Sequence, residues 1–169
     1  GSDSMSLDNV LELLIMSGRD ILQAMMMLVP DAWQGMRDID MEPQVRAFYQ
    51  YHAMLTEPWD GPAALAFTDG VFVGASLDRN GLRPARYWVT KDRIVIMASE
   101  VGVVDLEPSR IVEKGRLGPG DVAAVDTKRK QLLTNGAIKR EYAAAKPYAE
   151  WVEKSWLPIE QILNGSVAD

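Results

Sequence analysis

The chain changes its hydrophobic period once. Up to about residue 55, apolar positions recur every three or four residues; from residue 63 they run in short blocks bounded by Gly, Pro and Asp. The first period is that of helices with a buried face, the second that of strands. Leu7, Val10, Leu11, Leu14 and Ile15 share one side of a first helix, which Ser17-Gly18 ends. Ser4 or Ser6 is expected to cap it by accepting a hydrogen bond from an unsatisfied first-turn N–H, and Asp8 complements the positive end of the helix dipole. Asp20 is the expected N-cap of a second helix that Pro30 stops. Met25, Met26 and Met27 are consecutive, so they span more than half of its circumference and predict burial on more than one side. Pro43 suits the first position of a third helix, which carries Val45, Phe48, Tyr49, Met54 and Leu55.

Residues 64–68 and 71–75 flank Asp69-Gly70, a pair suited to the positive φ angles of a type I′ turn, and predict a hairpin. Residues 85–90 and 93–98 predict a second hairpin around Lys91-Asp92. Residues 111–117, 122–126 and 131–134 are further strands, with a turn at Gly118-Pro119-Gly120. Asn135-Gly136 precedes a helix of about ten residues that ends near Pro147. Residues 148–169 read as a tail with two Trp, and its last six residues are expected to fray. Helices first, strands second: the order predicts α+β rather than alternating α/β.

Composition narrows the function classes. The 169 residues have a mass of 18.8 kDa. A compact monomer of that mass exposes roughly 8,300 Å², enough burial for one core. Net charge is −6, with ten acids and three bases in residues 1–60, and the densest basic run is only Lys128-Arg129-Lys130. That run reads as a solvated turn, and no nucleic-acid footprint is present. The longest apolar run, residues 24–29, is far short of a membrane span, and no secretory signal is visible, so a cytoplasmic protein is expected. There is no Cys, hence no thiolate metal site and no cysteine nucleophile.

Four features carry candidate chemistry. His52, the only histidine, lacks the partners of a catalytic pair or metal site and reads as structural or as a surface residue. Asn80-Gly81 is either an oxyanion-stabilising pair or a turn in which Gly takes a positive φ. Arg79, Arg83 and Arg86 beside Asp78 form either an anion site or a buried ion-pair knot. Asp3, between Ser2 and Ser4 at the mouth of a helix, either caps that helix or receives a ligand's ammonium group.

Several blocks, in order, resemble the glutamine amidotransferase domain of glutamate synthase large chains. They are Ser2-Asp3-Ser4 running on to Leu7-Asp8-Asn9-Val10-Leu11; Met26-Met27-Leu28-Val29-Pro30-Asp31-Ala32-Trp33; Glu57-Pro58-Trp59-Asp60-Gly61-Pro62; Leu77-Asp78-Arg79-Asn80-Gly81-Leu82-Arg83-Pro84; Ala98-Ser99-Glu100-Val101-Gly102; and Lys114-Gly115-Arg116-Leu117-Gly118-Pro119-Gly120-Asp121. The Asn-Gly-Leu-Arg-Pro and Ala-Ser-Glu blocks are more distantly similar to phosphoribosylpyrophosphate amidotransferases. The resemblance implies an N-terminal-nucleophile hydrolase fold, two antiparallel sheets between helical layers. Here it would be a partial αββα sandwich whose upstream part is absent. It assigns residues 1–150 to the C-terminal part of a type 2 amidotransferase domain and 151–169 to a tail leading to a central domain.

In that family an N-terminal Cys attacks the side-chain amide of L-glutamine, its own amino group acts as base, and ammonia passes to a domain that aminates 2-oxoglutarate. The family's nucleophile, carboxylate-binding Arg and oxyanion Asn-Gly all precede the Ser-Asp-Ser block, so Asn80-Gly81 is expected to be structural. Only Asp3 matches a substrate position, the one that binds the α-amino group of glutamine. No catalytic residue and no metal ligand is expected here, nor any cofactor; FMN and a 3Fe–4S cluster belong to the parent polypeptide. The implied partners are the remainder of that large chain, a small electron-transfer subunit and L-glutamine, with neither nucleic acid nor membrane. The chain alone is expected to be inactive and, with sheet edges and an apolar face uncovered, to self-associate. The alternative is a stand-alone, non-catalytic ligand-binding or subunit-docking module.

Overall fold

The computed structural model describes residues 2–35, 41–157 and 159; Gly1 and the expected frayed end at 164–169 lie outside them. Helix α1 (Asp3–Met16) is capped by Ser2, whose Oγ accepts the Met5 N–H at 3.3 Å. Ser4 and Ser6 do not cap it, because both lie inside the helix, whereas Ser2 keeps the extended backbone (ψ 159°) that a cap requires. Gly18 leaves the helix at φ +93°, a conformation that costs other residues. Helix α2 (Ile21–Leu28) begins as expected at Asp20, whose carboxylate accepts the Gln23 N–H at 2.9 Å. Met25, Met26 and Met27 are all buried. Helix α3 (Pro43–Ala53) starts on Pro43 and buries Val45, Phe48 and Tyr49, while Met54 and Leu55 fall past its last turn and are exposed.

The strands are β1 (Ala64–Thr68), β2 (Phe72–Leu77), β3 (Arg86–Thr90), β4 (Val95–Ala98), β5 (Ile111–Arg116), β6 (Val122–Asp126) and β7 (Gln131–Leu133). They form two antiparallel sheets, ordered β1-β2-β6-β7 and β4-β3-β5. In the first, Phe67 lies opposite Gly74 and Gly74 opposite Ala124. Residues directly opposite share a face, so Leu65, Phe67, Val122, Ala124 and Leu133 point together into the helical layer, where they join Leu22, Met25 and Phe48 in one core. Gly74 is required there: a Cβ would stand 2.5 Å from the Phe67 ring.

The first hairpin departs from the expected two-residue turn. Its last pair is Thr68 with Val73, and of the pair Asp69-Gly70 only Gly70 is left-handed. The Asp69 carboxylate instead accepts the N–H groups of Val71 (2.9 Å) and Phe72 (2.7 Å), which holds a wider loop. Helix α4 (Asn135–Ala144) includes Asn135 and Gly136 rather than following them. A helix also forms where the sequence showed only a tail: α5 (Tyr148–Ser155) buries Tyr148 and Val152 against α3. The described residues thus stack as helices, first sheet and second sheet, an α+β arrangement.

Candidate functional site

The opposite face of the first sheet, with Ala64, Ala66 and Ala75, looks across a groove of about 620 Å³ at Tyr87 and Met97 of the second. Ser4 and Leu7 bring the first turns of α1 to its wall. Asp3 stands one residue before Ser4, exposed in the first helical turn. Because Ser2 supplies the cap, the Asp3 carboxylate has no hydrogen bond or ion pair among the described residues. The capping alternative therefore falls, and the Asp3 carboxylate is left exposed to solvent. Arg86 also lines the groove, with its Nε buried and without a partner among the described residues.

The Asp78–Gly81 segment is a scaffold. Asp78 is 3% exposed; its carboxylate accepts N–H groups from Ala63 (3.1 Å), Asn80 (2.9 Å) and Gly81 (3.2 Å), and its carbonyl accepts that of Gly120 (3.0 Å). The backbone donors of Asn80 and Gly81 are consumed inward, so they form no oxyanion hole. Gly81 is at φ +59° with Pro119 so close that a Cβ would lie 2.7 Å from it. Nor do the three arginines form a knot or a common anion site. Arg79 pairs with Asp60 (2.9 Å), Arg83 donates to the Pro62 carbonyl (3.3 Å), and Arg86 faces the groove. Asp78 turns its carboxylate to three backbone donors and, among the described residues, pairs with none of the three arginines.

Two buried polar clusters hold the helical layer. Lys139 Nζ donates to both carboxylate oxygens of Asp31 (2.8 and 2.6 Å) and to the Gly120 carbonyl (3.1 Å). Burial pushes the Asp31 carboxyl up despite the pull of Lys139, and burial together with the Asp31 charge pushes the Tyr49 phenol well up. Periodicity gave no sign of this pair, whose partners are 108 residues apart. His52 is buried, not a surface residue: its Nδ1 lies 2.8 Å from the Phe48 carbonyl. A carbonyl only accepts, so Nδ1 carries the proton and Nε2 accepts from Gln23 at 3.4 Å. Burial lowers its pKa to about 4.

Among the described residues, no group of three or more His, Cys, Asp or Glu side chains is placed to hold a metal ion, and no helix is long and apolar enough to cross a membrane. The family model for class-II glutamine amidotransferases matches residues 1–151. The chain belongs to that family. Among its relatives within this class of amidotransferases, it is 49% identical to a ferredoxin-dependent glutamate synthase of Antithamnion sp. over 99% of the chain. It is 51% identical to ferredoxin-dependent glutamate synthase 2 of Synechocystis sp. over 90% of the chain, and 45% identical to the large chain of an NADPH glutamate synthase of Bacillus subtilis over 94%. It covers 11%, 10% and 10% of those proteins, so the amidotransferase residues seen here span about a tenth of their length.

Proposed function

We propose that this chain is the later part of the amidotransferase domain of a glutamate synthase large polypeptide. That domain hydrolyses L-glutamine to glutamate and ammonia for reductive amination of 2-oxoglutarate. The observation that carries the reading is near-50% identity to glutamate synthases along almost the whole chain. In this reading residues 1–150 belong to the amidotransferase domain and 151–169 lead toward a central domain.

In amide hydrolysis by this class, a thiolate attacks the amide carbon, ammonia leaves, and water releases glutamate. The chain contains no Cys, so the nucleophile comes from another segment of the polypeptide, and residues of this chain bind substrate without making bonds. Asp3 is the binding residue. Its unpaired carboxylate meets the α-ammonium group of glutamine, a charge-assisted contact that fixes the amino-acid end of the substrate. FMN and a 3Fe–4S cluster belong to the remainder of the polypeptide, since an iron–sulfur cluster is held by thiolates and this chain offers none. The remainder of the large chain and a small electron-transfer subunit are its partners, and its place is the cytoplasm.

The test is Asp3→Asn in the full polypeptide. The Michaelis constant for glutamine is expected to rise at least about tenfold, or ~1.4 kcal/mol of binding, while the 169-residue chain alone releases no ammonia from glutamine. An unchanged Michaelis constant removes Asp3 from the site. Glutamine turnover by the chain alone, in proportion to its amount and surviving repurification, defeats the reading.

A further inference from the structure

One end of the two-sheet stack is strongly basic in a chain that is acidic. The β3–β4 turn brings Lys91 and Arg93, the short 3₁₀ turn Pro108–Arg110 brings Arg110, and the β6–β7 turn brings Lys128, Arg129 and Lys130. These segments touch: the Lys91 N–H donates to the Arg110 carbonyl (2.8 Å), and the Arg93 guanidinium donates to the Lys130 carbonyl (3.1 Å), which joins a turn of one sheet to a turn of the other. All six bases are exposed. With Asp92 and Asp126 counted in, the cluster is +4, which leaves the rest of the −6 chain at −10.

The acids around it are already engaged. Asp92 pairs with Arg110, and buried Asp126 accepts the N–H groups of Lys128 and Arg129, each at 2.9 Å. Of the flanking acids, Asp69 holds the backbone of its own hairpin and Glu107 accepts the Ser109 hydroxyl. The Lys91, Lys128 and Lys130 ammonium groups have no carboxylate partner among the described residues. Both hairpin turns, moreover, place a base where the backbone is left-handed, Arg93 at φ 63° and Lys130 at φ 55°. Gly or Asn holds that conformation at lower cost. The fold requires neither long cation there, yet two unrelated turns carry one.

We propose that this end of the molecule is a docking face for an acidic protein surface. The cations come from three separate segments of two sheets rather than from one helix or strand, which suits carboxylates spread over a protein surface. The segments offer no aromatic ring on which a base could stack, so a nucleic acid is the poorer match. Pairing of this kind steers association and weakens as salt is added.

The test titrates the full polypeptide with poly-L-glutamate at low and at physiological ionic strength, followed by calorimetry. The contribution of this face is read from variants altered only there. Binding is expected at low salt and is expected to weaken as salt rises. The variant K91E/K128E, altered only at exposed turn positions, is expected to lose at least tenfold in affinity with its circular dichroism spectrum unchanged. Lys146→Glu, an exposed base in the connection between α4 and α5, leaves binding unaltered. Absence of binding, or an equal loss in Lys146→Glu, overturns the proposal. Tighter binding of duplex DNA through the same lysines overturns it in favour of a nucleic-acid partner.

Discussion

His52 shows how a single buried side chain makes the fold pH-sensitive. Its ring lies against Phe48, Tyr51 and Tyr148, with centroid separations of 4.1, 5.2 and 5.1 Å. Burial is the main cause of its low pKa; the charges of Arg19 and Lys146 lower it further, and the bond to the Phe48 carbonyl opposes them. In the unfolded chain the ring takes a proton near 6.5, but in the folded chain only near 4. Between those values the unfolded state binds the extra proton. The contribution of His52 to stability is therefore full above about pH 6.5 and falls as pH drops through 4, by about 3 kcal/mol in all. Proton NMR of the imidazole is expected to titrate near 4 in the folded chain; a midpoint near 6.5 would mean that the ring is solvated. A structural role for His52 was one of the two readings its isolation in the sequence allowed. Its burial was not legible there, because it depends on Tyr148, 96 positions away.

At the scale of elements, the Gly118–Gly120 turn has the least room for change. Gly120 is left-handed (φ +69°), and a Cβ on it would lie 2.3 Å from the Asp31 carboxylate that Lys139 clasps. Gly70 has a similar angle (φ +86°) and open space around it. Gly70→Ala is expected to cost about 1–2 kcal/mol, the backbone penalty alone. Gly120→Ala adds a steric clash and a displaced buried ion pair, whose disruption costs about 3–5 kcal/mol. Chemical denaturation of the two variants measures the difference, and equal losses would show that the clasp yields freely.

Local chemistry made other elements legible in the sequence. Asp20, Pro43 and Gly18 act within one turn of where they stand, and each marks a helix boundary as expected. The Asp69-Gly70 turn was misread because the Asp side chain competes for the backbone donors that set the turn type. Helix α5 was missed because it buries only Tyr148 and Val152, four residues apart, too thin a stripe to show as a period. Asp3 was singled out from a block of sequence, and that Ser2 rather than Asp3 caps the helix needed the geometry. The divergence of Arg79, Arg83 and Arg86 could not be read from spacing, since Asp60 and Pro62 supply two of the partners.

The whole molecule exposes 10634 Å², against roughly 8,300 Å² for a compact monomer of its mass. Among the described residues β1, β7, β4 and β5 are edge strands, and Val73, on the groove side of the first sheet, is 51% exposed. Unpaired strand edges beside apolar surface recruit other chains. Light scattering is therefore expected to show concentration-dependent association, and Ala66→Lys, which puts a charge in the groove, is expected to shift the chain toward monomer. A wild-type chain that stays monomeric at high micromolar concentration would mean that the groove is closed by its own residues.

The central claim is that these 169 residues work as one part of a much larger glutamine-hydrolysing polypeptide. It is tested most directly by the size of the native polypeptide in extracts of the source cell, detected with an antibody raised against this chain. A single band many times larger than 18.8 kDa is expected, in keeping with the tenth of each relative that the chain covers. A single band near 18.8 kDa would contradict the account and would favour a stand-alone, non-catalytic module.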